Sequence, residues 1–259
     1  ADFRPGVFAA TLAAALLIQI GTNLANDVAD YERGADSASR LGPPRVTQAG
    51  LASPAQVRVA ALATLAAAAA LGLYLATVGG WPILLIGALA LVSAVTYTGG
   101  PWPFGYHGLG DLFVFVFFGV VAVTGTYYLQ TDRVSGLAFA ASVPVAMTVT
   151  AILVANNLRD IPTDRAAGKR TLAVIMGAPL TRAWYAVLTL GAFAAVGAAV
   201  TLGALPRWCL LALAAAPLAV ALVRVVASGA EGQALNDVLK RTARLHLALG
   251  VALAAGLLL

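Results

Sequence analysis

Two stretches of this chain carry carboxylates and amides at helical spacing, each followed by basic residues. The first reads Asn23-Leu-Ala-Asn26-Asp27-Val-Ala-Asp30-Tyr-Glu-Arg33-Gly34-Ala-Asp36. Residues three or four apart share a helix face, so Asn23 joins Asp27, Asn26 joins Asp30, and Asp27 joins Asp30 at one helix end. The second reads Asn156-Asn157-Leu-Arg159-Asp160-Ile-Pro-Thr-Asp164-Arg165-Ala-Ala-Gly168-Lys169-Arg170-Thr171. There Asn156, Asp160 and Asp164 follow at i, i+4 and i+8, and Pro162 between the acids marks a last turn or a kink. Oxygen-only clusters with no local His or Cys suit Mg²⁺, which prefers carboxylates, water and phosphate oxygens. The interleaved Arg and Lys suit phosphate directly. A carboxylate repels a phosphate but holds it through Mg²⁺. The ligand implied is therefore a polyanionic phosphate. One such segment is explained by a solvated loop with local ion pairs; two matched segments argue against that explanation.

The elements that position these motifs are read from composition and hydropathy. Hydrophobic residues make up 61% of the 259 residues and charged residues 10%, with a net charge of +5. That supply of charge cannot cover a water-soluble globule, since an ordinary soluble domain has about 25%. A soluble enzyme, a disordered chain and a disulfide scaffold are excluded on these figures, leaving a polytopic protein of the lipid bilayer. Nothing in the sequence calls for nucleic acid or for an obligate protein partner. Eight continuously apolar runs are long enough to span: 6–25, 58–78, 81–98, 111–130, 134–157, 181–204, 207–227 and 244–259. Their continuity, without period-two alternation, rules out a β-barrel. Cys209, the only cysteine, lies in an apolar run and reads as a core residue.

Loops after the odd-numbered spans, counted with residues just inside the flanking spans, hold 13 of 16 basic residues, which makes that side cytoplasmic in a cell (inner) membrane. Nine of 11 acids lie there too. The basic-residue rule does not account for the acids, and carboxylates gathered at one membrane face indicate a functional site. Four spans separate the two motifs, an even number, so both open on the same side. The expectation is an all-α bundle of two parallel four-helix repeats forming one integral-membrane domain over 1–259. The chain opens on Ala1 with a span almost at once, and an upstream segment is expected, a further helix, with a cleaved signal as the alternative.

At these residues the sequence resembles the UbiA superfamily of intramembrane prenyltransferases. Asn26-Asp27-x-x-Asp30 and Asn157-x-x-Asp160-x-x-x-Asp164 are similar to its two Asp-rich motifs. Gly42-Pro43-Pro44-Arg45-Val46-Thr47-Gln48-Ala49-Gly50, and Tyr106-His107-Gly108-Leu109-Gly110-Asp111 followed by Phe117-Phe118-Gly119, resemble the 1,4-dihydroxy-2-naphthoate prenyltransferase branch of menaquinone biosynthesis. The likeness covers essentially the whole chain. It departs from the superfamily in having eight spans where nine are usual. Asp36 also follows Asp30 by six residues, where many members have four.

The resemblance implies transfer of a polyprenyl group from polyprenyl diphosphate to 1,4-dihydroxy-2-naphthoate, with loss of diphosphate and CO₂. It implies that Asn26, Asp27, Asp30, Asn157, Asp160 and Asp164 bind Mg²⁺–diphosphate, with Asn23 and Asn156 as ligands or as supporting hydrogen-bond groups. Arg33, Arg159 and Lys169 are expected at the diphosphate, and Arg45 and Gln48 at the acceptor's carboxylate or hydroxyl. Tyr106 is the aromatic best placed to ease an allylic cation. Asp111 either orients the acceptor or caps the fourth span. His107 is expected as an interfacial loop residue and His246 as a hydrogen-bonded interior residue. Three rivals share part of this evidence. Another aromatic prenyltransferase of the superfamily differs only in acceptor. A polyprenyl-diphosphate phosphatase shares the diphosphate site and transfers to water. An ion-coupled transporter shares the repeats and acids but places them at the midplane.

Overall fold

The computed structural model describes residues 2–34, 42 and 44–259, and every long element in it is a helix. Asp36 and Pro43 lie outside the described residues. Among the described residues, seven helices are long and apolar enough to cross a membrane. They are α1 (Pro5–Glu32), α2 (Pro54–Thr96), α3 (Gly110–Thr131), α4 (Gly136–Ala166), α5 (Leu172–Thr201), α6 (Arg207–Ala227) and α7 (Gln233–Leu258).

The eight expected spans become seven helices because α2 covers two of them. Its ladder breaks at Gly80, with φ 71° and ψ −163°, just before Trp81-Pro82. Glycine alone adopts that backbone without steric cost, and Pro82 restricts the residue before it. The segments 54–79 and 81–96 match the second and third expected runs. α2 starts on a reciprocal cap: Gln56 N–H donates to Ser53 Oγ at 3.3 Å, and Ser53 N–H to Gln56 Oε1 at 2.9 Å. α6 opens as a 3-10 segment, Arg207–Ala215, and buries Cys209 completely.

The chain falls into two compact units. The first comprises 1–110, 125–133 and 163–170; the second comprises 111–124, 134–162 and 171–259. In the first, α1 lies along α2, and Val7, Ala14, Leu75, Ile83 and Leu129 form a small apolar core. In the second, α4 to α7 bury a larger core that includes Tyr185, Leu188, Leu222, Leu245 and Leu249. Within it Tyr185 Oη meets Thr242 Oγ1 at 2.7 Å and His246 Nδ1 meets Thr148 Oγ1 at 2.8 Å. His246 is thus the hydrogen-bonded interior residue expected. Large apolar side chains such as Leu16, Leu62, Trp81 and Val251 point outward, as residues facing lipid do.

One irregularity in α3 has a packing cause. Phe115–Val121 winds as a π-helical turn, and Gly119 in it lies against α4. A Cβ at Gly119 would sit 2.1 Å from Ala146 Cβ, so this approach is closed to any other residue.

Candidate active-site clusters

The first motif lies at the end of α1, in the first unit. Asp27 and Asp30 are each only 3% exposed, and Asn26 is also buried. Such burial of carboxylates requires partners, and each has its own. Asp27 accepts two successive backbone N–H groups, Val46 at 2.8 Å to Oδ2 and Thr47 at 3.2 Å to Oδ1. It thereby pins the turn 45–51, whose backbone closes with Ala49 N–H on Arg45 O and Leu51 N–H on Val46 O. Asp30 accepts the Tyr106 phenol at 2.7 Å on Oδ1. Its Oδ2 faces Lys169 Nζ at 3.5 Å and Arg45 Nη2 at 3.8 Å. Asn26 Oδ1 accepts from the buried Thr98 hydroxyl at 2.6 Å. Asn23 is exposed, and its backbone carbonyl, 3.5 Å from Arg45 Nη1, makes the contact.

Lys169 reaches this cluster because of how α4 stops. Gly168, at φ 71°, donates to Arg165 O, and Lys169 N–H donates back to Asp164 O at 2.8 Å. This six-to-one closure on a left-handed glycine turns the chain sharply after the helix. Arg170 N–H then donates to Tyr106 O at 3.2 Å, tying the turn to the short 3-10 helix Phe104–His107. Pro162 lies inside α4 rather than at its end, and the helix runs on to Ala166. Asp164 is therefore helical, half-buried in the last turn.

Tyr106 is held from three sides. The Arg33 guanidinium lies 5.1 Å from its ring centroid and Lys169 Nζ 5.2 Å. Burial, and then the Asp30 charge and hydrogen bond, push its phenol above the ordinary tyrosine value, so it remains a neutral donor. The ring thus already faces two cations. Arg33 was expected at the diphosphate, yet its guanidinium donates to the carbonyls of Thr98 and, at 2.8 Å, Gly100. It fastens the 98–106 loop to the end of α1. His107, exposed, stacks on Trp102 at 4.6 Å and sets Nδ1 2.9 Å from Pro103 O. Gln48 lies half-buried in the turn that Asp27 pins.

Of the second motif, Asn156 to Asp160 lie on α4 in the second unit, while Asp164 falls in the first. Arg159 was expected to touch the diphosphate, but its side chain is 1% exposed and turned onto its neighbour. Nε and Nη2 donate to Asp160 Oδ1 and Oδ2 at 2.7 and 2.6 Å. Nη2 also reaches Asn156 Oδ1 at 2.8 Å, and Nη1 reaches Asn236 Oδ1 at 2.6 Å. Asn156 Nδ2 returns to Asp160 Oδ2 at 3.3 Å. Asn157 is buried beside them. In the same unit, Asp111 is buried in the first turn of α3 and accepts the Trp184 indole N–H at 3.0 Å. Its carboxylate is committed to a side chain of α5 and not to capping its own helix.

Sequence reasoning did not single out Thr98, Trp184 or Asn236. Thr98 and Trp184 carry no local pattern that sets them apart from packing residues. Asn236 had a signal: it opens an Asn-Asp pair on the basic side, as Asn26-Asp27 does.

The donors available to a metal are all oxygen. Among the described residues, no three or more His, Cys, Asp or Glu side chains group to hold an ion by themselves. Each motif instead offers carboxylates flanked by amides. That fits Mg²⁺, which keeps several waters and takes one or two carboxylates plus substrate phosphates.

Such a molecule is a polytopic α-helical membrane protein that carries two carboxylate–amide motifs, on α1 and α4. Its sequence matches the UbiA prenyltransferase family over residues 1–258, and the chain belongs to that family. It is 44% identical over 246 residues to a protein of Mycobacterium tuberculosis named 1,4-dihydroxy-2-naphthoate octaprenyltransferase, covering 95% of this chain and 83% of that one. A protein of the same name from Escherichia coli is 36% identical, over 93% of this chain and 80% of that one. The fold is similar to the apo structure of a UbiA homologue from Aeropyrum pernix K1, with a TM-score of 0.75 at 18% identity. That likeness covers 98% of this chain and 90% of the homologue.

Proposed function

We propose that this prenyltransferase moves a polyprenyl group from polyprenyl diphosphate onto 1,4-dihydroxy-2-naphthoate, releasing diphosphate and CO₂ and giving the quinol form of demethylmenaquinone. The observation that carries this reading is the pair of buried carboxylate–amide motifs in a chain 44% identical to a relative named for that acceptor. Breaking the allylic C–O bond leaves an allyl cation and a diphosphate. The electron-rich naphthoate ring attacks the cation, and its carboxyl departs as CO₂. Asn26, Asp27, Asp30, Asn157, Asp160 and Asp164 are the residues that would hold Mg²⁺, with Asn23 and Asn156 beside them. When bound there, Mg²⁺ supplies electrostatic stabilisation of the departing diphosphate.

The chain's own groups do the remaining work. Lys169 and Arg45, both facing Asp30, are the cations assigned to diphosphate oxygens. Arg33 and Arg159 hold the site rather than the substrate: Arg33 fixes the Tyr106 loop, and Arg159 fixes Asp160. Asp111, oriented by Trp184, and Gln48 are assigned to the acceptor. Apolar helices keep water from the cation until the ring attacks. The active face is assigned to the cytoplasmic side of the cell membrane, following the basic residues.

The test is an assay of the purified intact protein with a polyprenyl diphosphate, Mg²⁺ and 1,4-dihydroxy-2-naphthoate. Prenylated product with release of CO₂ is expected, and EDTA is expected to stop it. Phosphate release with no aromatic product would assign the chain to a phosphatase activity instead. Undiminished turnover in EDTA would exclude a divalent ion.

A further inference from the structure

The second motif depends on a residue that lies far from it in sequence. Arg159 is buried beside Asp160 with the Nε–Nη2 edge of its guanidinium on the carboxylate. That planar fork orients a carboxylate only if its own rotation is stopped. The opposite end, Nη1, projects away from Asp160 and is caught by Asn236 Oδ1 at 2.6 Å, on the first turn of α7. A guanidinium has donors and no acceptor, so the atom of Asn236 facing it must be the amide oxygen. Asn236 Nδ2 in turn donates to Gln233 Oε1 at 2.8 Å, one turn earlier on the same helix. That second bond fixes the amide with its oxygen toward Arg159.

We infer that Asn236 is a positioning residue for prenyl transfer. It locks the Arg159 fork from the side opposite Asp160, and so sets the carboxylate's orientation toward the diphosphate. The α7 helix, which contributes no acid to either motif, thereby controls one of them. The inference rests on Asp160 acting at the diphosphate, as proposed above.

The variants Asn236→Leu, Asn236→Asp, Arg159→Lys and Asp160→Ala are assayed as intact protein in lipid nanodiscs, with thermal midpoints measured alongside. Asn236→Leu removes the acceptor, and Asn236→Asp keeps an oxygen in place. Asn236→Leu is expected to raise KM for polyprenyl diphosphate about tenfold, the scale of a lost hydrogen bond to a charged group, with KM for the naphthoate little changed. Asn236→Asp is expected to restore it. In an Arg159→Lys background, which lacks the fork, Asn236→Leu should add less than about a twofold change, because coupled residues are non-additive. Should Asn236→Leu fail to fold, Asn236→Ser, whose hydroxyl is too short to reach Nη1, takes its place. The inference is overturned if Asp160→Ala is inactive while Asn236→Leu behaves as wild type. It is also overturned if Asn236→Asp is as impaired as Asn236→Leu, or if the Asn236 and Arg159 effects multiply. An active Asp160→Ala enzyme would instead remove the role assigned to the motif itself.

Discussion

The phenol of Tyr106 is the most direct handle on the first motif, and Tyr106→Phe removes it while leaving the ring. In the wild-type protein Oη donates to Asp30 Oδ1 at 2.7 Å. With Oδ1 held, Oδ2 is the oxygen presented to Lys169 and Arg45. Without the phenol, the carboxylate can turn toward either cation. A hydrogen bond to a charged group contributes about 1.5–3 kcal/mol. At about 1.4 kcal/mol per decade, kcat/KM for prenyl transfer should fall between about tenfold and 100-fold if Asp30 must keep that orientation. Tyr106→Leu also removes the ring that faces Arg33 and Lys169. Partly desolvated cation–π contacts contribute about 0.5–2 kcal/mol, so a further loss of about 2- to 30-fold is expected. The assay is steady-state turnover with saturating acceptor and varied polyprenyl diphosphate, alongside thermal melting to show that each variant is folded. A folded Tyr106→Phe protein within twofold of wild type would refute the role of the phenol. Equal losses in the two variants would refute the role of the ring.

Three other outcomes are expected. Asp27→Ala strips the acceptor from Val46 and Thr47 N–H and should release the turn 45–51, so trypsin should cut after Arg45 faster than in wild type; equal cleavage rates would show that Asp27 does not pin the turn. Gly119→Val places carbon where Ala146 already stands, and overpacking of about 1–3 kcal/mol should lower the thermal midpoint in detergent, an unchanged midpoint showing that α3 and α4 do not meet there. The phenol of Tyr106 keeps its proton above the ordinary value near 10 in the folded protein, whereas the unfolded chain releases it there, so the folded state binds more protons and stability falls as pH rises past 10. Tyr106→Phe should therefore show a shallower drop in melting temperature between pH 10 and 11, and an identical slope would remove the assignment.

What the sequence made legible follows from periodicity and from the scarcity of charge. Long apolar runs can only be spans, so the helices fell where the hydropathy placed them. The one miscount, eight spans against seven helices, came from Gly80, whose positive φ breaks a ladder without ending the element. The carboxylates stood out for the same reason: Asp27, Asp30 and Asp160 are three of only 11 acids in the chain, and the structure buries all three. The bases were less so. The sequence assigns thirteen of them to one side, and the rule behind that assignment also hides those with another task. Spacing alone did not separate Arg33, which holds carbonyls, from Lys169, which faces a carboxylate. Nor did it show that Arg159 would fold back on the residue next to it. Asn236 was harder still, since its partner is Arg159 and no local pattern links residues 77 apart.

The two motifs repeat their acids but not the groups that hold them. On α1, Asp30 is held by Tyr106, Arg45 and Lys169, all brought in by loops and by the turn that follows α4. On α4, Asp160 is held by Arg159, its own neighbour, braced by Asn156 from the same helix and Asn236 from α7. A carboxylate fixed by loop residues can lose or exchange partners when those loops move. A carboxylate fixed by a buried bidentate guanidinium cannot, because releasing the arginine would strand a charge at an estimated cost of about 3–5 kcal/mol. On the proposed function, Lys169 and Arg45 are therefore the cations that would leave Asp30 for diphosphate oxygens as substrate enters. Arg159 would stay on Asp160. On this account, substitutions at Lys169 and Arg45 should act on substrate capture, and those at Arg159 and Asn236 on the geometry that capture requires.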